Sequence, residues 1–336
     1  MSRTIQVGLN RVEGDLEIKL EVAGNRIVDA WTSGTMYRGF EQILIGRSAL
    51  DGLVITPRIC GICGTAHQYA AVTALETAFN CAVAPNGTRV RNICLLAEEV
   101  QSDPKHVFLL FTPDLFNPKY RDEPWFAEAL AYFEPLKGWV YKEVVKMTKT
   151  ILEIVAIFGG QWPHSSYMLP GGVVTPPNPR KILESMAILD NYQRWYEKTI
   201  LGCSSERWLA IKTLADLDVW LAERKEHHDS PAGLYIRVLR AIGLTELGRG
   251  KGNLLSFGVY NDPVTWQPPF TQHRHLRPSG FYSSATGKIA AFDHQAVTEH
   301  VKHSWYLDYE GGRHPWEGQT IPDYQVPSEK YSWAKA

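Results

Sequence analysis

The stretch "WVYKEVVKMTKTILEIVAIF", residues 139 to 158, repeats apolar residues at helical spacing and stops at Gly159-Gly160. It lies within a longer succession of similar segments, and that succession is what most limits the fold. The spacing predicts helices from about Thr88 through Gln101, around 124 to 157, at 179 to 200, at 205 to 226 and at 230 to 246, with breaks such as "PGGVVTPPNP" between them. Three or more long helices in succession must bury their apolar stripes on one another, which predicts a bundle. The two flanks differ in character. "GDLEIKLEVAGNRIVDAWTSG" alternates apolar and polar around Gly24-Asn25 and predicts a β-hairpin turning there. After Gly250 come short β-like pieces, "NLLSFGVY" and "GKIAAFD", and then a short helix over about 294 to 305. The fold class is α+β, mainly α: an N-terminal β-hairpin region packed on a long helical bundle, with a small β-containing C-terminal region. The corresponding divisions are 1–50, 51–246 and 247–336.

With 44% hydrophobic residues, a chain of 336 is long enough to bury a substantial core. No run approaches the roughly 18 apolar residues of a membrane span, and "MSRTIQVGLN" carries no signal pattern. A formal net charge of -1 with scattered Lys and Arg supplies no electrostatic attraction for nucleic acid. Five cysteines are too few for a disulfide scaffold, which predicts a reducing, cytoplasmic setting. The last thirty residues are rich in aromatics, including Trp316, Tyr324, Tyr331 and Trp333. A disordered tail has no core to receive such side chains, so a partner protein is expected to cover them.

The chemistry concentrates in "PRICGICGTAH", residues 57 to 67. Cys60 and Cys63 form a Cys-x-x-Cys on a loop relaxed by Gly61 and Gly64, and "TAHQYAAVTALETAFN" predicts a helix beginning just after it. A helix N-terminus lowers thiol pKa, and thiolates are soft ligands for zinc, nickel or iron clusters. From the residues alone, structural zinc, redox chemistry and no metal role all remain open. Zinc needs two more ligands, and Cys81, Cys94, His273, His275, His300 and His303 do not make a second tight pair. Thioredoxin-like chemistry lacks its βαβ surroundings.

The whole stretch, with Arg58, Cys60, Gly61, Cys63, His67 and Glu76 in register, resembles the first signature of the nickel-iron hydrogenase large subunit. "RVEG" at 11 to 14 and "MYRGFE" at 36 to 41 resemble that family's N-terminal motifs in the same order, and "KYSWAKA" is similar to the segment before its Pro-Arg stretch. The wording leans toward the uptake or sensor branch. The resemblance implies a Ni-Fe centre with carbon monoxide and cyanide ligands, held by four thiolates, at which H2 is split heterolytically. By similarity, Cys60 is a terminal nickel ligand and Cys63 a nickel-iron bridge. His67 is a donor to thiolate sulfur, Glu13 a proton relay, and Arg58 an anchor of the loop. Glu41 is a ligand of Mg2+ or a similar hard cation. Either Ser102 or Asp103 in "EEVQSDPKH" stands above the metal pair, although Asp103-Pro104 also reads as a helix-terminating turn.

Large subunits of the family are longer and end near a second Cys-x-x-Cys, which these 336 residues lack. The resemblance therefore implies that a second polypeptide carries the C-terminal half, or else that the chain is truncated. It also implies an iron-sulfur small subunit holding its own clusters, a higher oligomer, and membrane association through partner subunits. The functional readings are an H2-oxidising enzyme, an H2-sensing regulatory protein, and a non-catalytic scaffold like the related Complex I subunit.

Overall fold

A computed structural model describes residues 2–9, 14, 16–34, 36, 38–247, 250, 252–264, 275–298, 307, 312–314 and 317. It divides into two units, one formed by residues 1–45 with those from 289 onward, the other by residues 46–288.

In the first unit, β1 (Ser2–Leu9), β2 (Leu16–Ala23) and β3 (Arg26–Gly34) form an antiparallel sheet in that order. The expected hairpin is there. Ala23 pairs with Arg26, and Gly24 (φ 55°) and Asn25 (φ 63°) both take the left-handed conformation that a two-residue turn of the right twist requires. The sequence reading passed over β1. Its partner pairing with β2 runs the full length from Ser2↔Ala23 to Leu9↔Leu16. A short helix, α1 (Phe40–Leu44), follows, with Arg38 stacked 4.8 Å over the Phe40 ring.

The second unit holds the helices: α2 (Gly52–Ile55), α3 (Gly64–Phe79), α4 (Pro85–Lys105), α5 (Phe126–Phe133), α6 (Trp139–Gly159), α7 (Pro179–Trp195), α8 (Ser205–Leu209), α9 (Leu214–Glu223), α10 (Lys225–His228) and α11 (Pro231–Ala241). Mainly-α with small antiparallel sheets is thus the observed class. Helix α6 is the axis of the core. Its residues Val140, Val144, Met147, Ile151, Val155 and Phe158 recur every three or four positions, are all buried, and pack with Val90, Cys94 and Ala97 of α4.

Three expected helices differ in detail. The run around 124 to 157 breaks after Phe133, because Pro135 cannot continue a helix and Gly138 lies against the preceding turn. A Cβ on Gly138 would fall 2.4 Å from the Tyr132 carbonyl oxygen. Gly138→Ala is expected to cost about 1–3 kcal/mol, read as a lower denaturant midpoint with unchanged slope. The run 205 to 226 is three helices, since Thr213 and Asp216 form a capping box that starts α9 anew. The pattern Thr-x-x-Asp was the available signal.

Helix α4 does not end at Asp103-Pro104. It continues through Lys105 and widens into a π-helical turn over His106–Phe111. Pro104 removes the hydrogen bond that the Val100 carbonyl would accept, and the Tyr192 hydroxyl of α7 donates to that oxygen instead, at 3.1 Å. The chain then forms a small hairpin, β4 (Met168–Leu169) with β5 (Gly172–Val173). Near the end of the unit, β6 (Leu254–Ser256) pairs with β9 (Gly280–Ser283), and β7 (Val259–Asn261) with β8 (His275–Arg277). "GKIAAFD" contains a strand over Lys288–Ala290, and of the expected helix at 294 to 305 the described part is one turn at His294–Ala296. The aromatic segment with Trp316, Tyr324, Tyr331 and Trp333 lies outside the described residues.

Candidate metal centre

The cysteine loop is held between α2 and α3. Thr56–Arg58 forms a single tight turn after α2, and α3 starts at Gly64, one residue past Cys63. Cys60 is 4% exposed and Cys63 half-buried. The Cys63 backbone N–H donates to the Cys60 sulfur at 3.2 Å, so one sulfur receives a hydrogen bond from the residue that carries the other. Arg58 is exposed, and its Nη1 donates to the Val54 carbonyl, tying the loop back to α2. His67 is half-buried on the first turn of α3, with its N–H donating to the Cys63 carbonyl at 3.3 Å and its own carbonyl accepting from Thr56 Oγ1 at 3.3 Å.

A cavity of about 350 Å³ opens beside the pair, walled by Cys63, Glu98, Gln101, Ser102 and Asp103 on one side and by Tyr260 and Arg277 on the other. Both Ser102 and Asp103 reach it, Ser102 half-buried and Asp103 exposed. Partial burial of the Asp103 carboxyl, with the Glu99 charge beside it, pushes its pKa up, while Arg277 and His106 oppose the shift. Arg277 and the Tyr260 hydroxyl both donate to Glu99, and the Arg277 guanidinium lies 5.2 Å over the Tyr260 ring.

Two of these wall residues escaped the sequence reading. Glu98 is 5% exposed, and its oxygens accept from the backbone N–H groups of Thr65 and Ala66 and from the Trp162 indole. Burial pushes its carboxyl pKa up, against the lowering effect of those bonds. Gln101 is fully buried, yet neither atom of its amide has a hydrogen-bond partner among the described residues. Their spacing, three residues apart on a helix of mixed polarity, gives no signal without knowledge of the wall they face.

Glu41 is exposed in the first turn of α1, which belongs to the first unit, and Glu13 lies outside the described residues. Of the zinc candidates, Cys94 is buried in the core, where desolvation pushes its thiol up to about 12 and keeps it neutral. Among the described residues no group of three or more His, Cys, Asp or Glu is placed to hold a metal ion. His273, His300 and His303 fall outside those residues.

The donor chemistry of this site suits a soft metal: two cysteines three residues apart on one loop, the Cys63 N–H donating to Cys60 Sγ, a cavity lined by Cys63, and a buried Gln101 amide in its wall with no hydrogen-bond partner among the described residues. Cys60 and Cys63 would give two of the four thiolates that the resemblance implies, so they fit half of a Ni-Fe ligand shell. A paired-cysteine loop beside a cavity on a mainly helical scaffold is the class these features define.

Comparison with known proteins narrows that class. The sequence model described as nickel-dependent hydrogenase matches residues 38–122 and 139–336, and the chain belongs to that family. It is 31% identical to the periplasmic [NiFeSe] hydrogenase large subunit of Desulfomicrobium baculatum, over 98% of this chain and 59% of that protein. It is 26% identical to the hydrogenase-2 large chain of Escherichia coli K12, over 100% of this chain and 65% of that one. Among solved structures, the Ni-Fe-Se hydrogenase of D. vulgaris Hildenborough in its reduced state superposes with a TM-score of 0.72 and 28% identity, covering 100% of this chain and 63% of its own. The chain thus spans between 59% and 65% of the length of these relatives. No helix among the described residues is long and apolar enough to cross a membrane.

Proposed function

We propose that this chain provides one wall of the catalytic centre of a nickel-iron hydrogenase, with Cys60 and Cys63 as two of its four thiolate ligands. The observation that carries the reading is a Cys-x-x-Cys loop whose Cys63 N–H donates to Cys60 Sγ, with Cys63 lining an open cavity, in a member of this family. When bound, the Ni-Fe group with its carbon monoxide and cyanide ligands supplies the chemistry of heterolytic H2 cleavage, H2 = 2 H+ + 2 e-. The residues of this chain hold and surround it. Cys60 is the terminal nickel ligand and Cys63 the bridge. His67, one turn into α3, donates toward thiolate sulfur, and Arg58 keeps the loop closed on α2. Ser102 and Asp103 form the polar wall over the sulfurs, Glu13 relays protons from them, and Glu41 contributes an oxygen ligand to a Mg2+ site.

The other two thiolates come from a Cys-x-x-Cys outside this sequence, and electrons leave through an iron-sulfur small subunit. The assembly is a higher oligomer in the cytoplasm, membrane-associated through its partners. Infrared spectroscopy of the purified complex is expected to show metal-bound carbon monoxide and cyanide stretches, with nickel and iron both present. Peptide mapping of that complex should recover a second Cys-x-x-Cys. A preparation without either metal or the diatomic ligands would leave the scaffold reading instead. H2 oxidation with an artificial acceptor, compared with binding to a kinase, separates the enzyme from an H2 sensor.

A further inference from the structure

Helix α3 begins without a side-chain cap from its own cap residue. The first N–H groups of a helix have no intrahelical partner, and a Ser, Thr, Asp or Asn at the cap position ordinarily bonds one of them through its side chain. In α3 the cap residue is Cys63, and its side chain makes no capping bond. Its backbone, at φ -122° and ψ 32°, also lies outside the extended region from which a cap side chain folds back.

The orphaned donors are nevertheless satisfied, by a residue more than thirty positions away. Thr65 N–H donates to Glu98 Oε1 at 3.1 Å and Ala66 N–H to Glu98 Oε2 at 3.2 Å. The Trp162 indole, from the loop after α6, donates to Oε1 at 3.2 Å. The Glu98 carboxylate therefore joins three segments at a point two residues past Cys63. Bonds to an ionised carboxylate are about twice as strong as neutral ones, and negative charge is favoured at a helix N-terminus.

We propose that Glu98 is a positioning residue for the cysteine pair: a helix cap delivered from α4 that fixes the start of α3 without drawing on the Cys63 side chain. This rests on the reading of Cys60 and Cys63 given above. The backbone is closely packed at the helix start, where a Cβ on Gly64 would meet the Pro57 carbonyl oxygen at 2.9 Å. Two further backbone bonds, Cys63 N–H to Cys60 Sγ and His67 N–H to the Cys63 carbonyl, transmit the position of the helix start to both sulfurs. A local cap of Ser or Asp at position 63 would consume the position that the ligand occupies. The remote carboxylate removes that conflict.

The test compares Glu98→Ala and the isosteric Glu98→Gln with Asn178→Ala, which removes an ordinary cap from α7, where the Asn178 side chain accepts from Lys181 N–H. In the metal-free full chain, amide hydrogen exchange in peptides spanning 57–68 is expected to accelerate about tenfold or more in Glu98→Ala and to be unchanged in Asn178→Ala. In the purified complex, nickel content is expected to fall about 10- to 100-fold in Glu98→Ala, the range for losing a residue that orients a metal ligand. Glu98→Gln retains more nickel but shifts the infrared stretches of the metal-bound diatomic ligands. Should Glu98→Ala not fold, Glu98→Gln carries both comparisons. Unchanged exchange at 64–67 in a folded Glu98 variant overturns the proposal, and so does equal nickel loss in Asn178→Ala. If the wild-type complex holds no nickel, the reading of the cysteines fails, and the exchange experiment alone still decides whether Glu98 caps α3.

Discussion

Arg91→Ala is expected to destabilise the chain by about 3–5 kcal/mol, the cost of stripping one partner from a buried ion pair. Arg91 is 1% exposed and Glu76 fully buried. Their contact is bidentate, Nη1 to Oε2 at 3.1 Å and Nη2 to Oε1 at 2.7 Å. The same guanidinium donates to the carbonyls of Leu169 and Gly172, at 2.6 and 2.7 Å, and so ties α3, α4 and the β4–β5 hairpin together. Without it, Glu76 keeps one side-chain bond, from Gly171 N–H at 3.0 Å, and an uncompensated charge sits in the interior. Substituting both partners with apolar residues of similar size, Glu76→Leu with Arg91→Met, removes the stranded charge and should recover much of the loss. Denaturant unfolding of the single and double variants measures this. A loss below about 1 kcal/mol for Arg91→Ala would mean that water reaches Glu76 and that the pair is not the fastening described here.

Cys63→Ser should abolish nickel binding in a chain that still folds. Serine replaces a soft, acidic sulfur with a hard hydroxyl that stays protonated at neutral pH, and such an oxygen is a poor ligand for a thiolate-selected metal. Losing a ligand should exceed the 10- to 100-fold loss typical of residues that merely orient one, so nickel per chain is expected to fall more than about 100-fold. Cys60→Ser should do the same. Cys81→Ser serves as the control: the Cys81 thiol donates to the Ala82 carbonyl at 3.5 Å and is not among the residues lining the cavity. Metal analysis of the three purified variants, each checked for an intact thermal transition, distinguishes the outcomes. Full nickel occupancy in both Cys60→Ser and Cys63→Ser would remove the basis of the proposed function.

What could be read in advance depended on how far apart the interacting residues stand. The Gly24-Asn25 turn, the start of α3 just after Cys63 and the apolar stripe of α6 are each set within a few residues, by backbone freedom or side-chain spacing. Pro135 and the Thr213–Asp216 capping box were equally local, and reading them would have placed two of the helix breaks. The passage of α4 through Pro104 was not legible in this way. Proline disfavours helix by itself, and only the Tyr192 hydroxyl, 92 residues from the carbonyl it reaches, repairs the deficit.

The same division runs through the candidate site. The amino-acid sequence by itself determined the cysteine pair, the helix it enters and the family, because those reside in short motifs whose residues are neighbours along the chain. Only the tertiary structure decided which groups surround the pair. Glu98 caps α3 from 33 residues beyond Thr65, and Tyr260 and Arg277 close the cavity from strands much farther along. Such contacts leave no period or spacing in the sequence. They arise when helices bury their apolar faces, and packing then brings a carboxylate on one helix to the unsatisfied N–H groups of another.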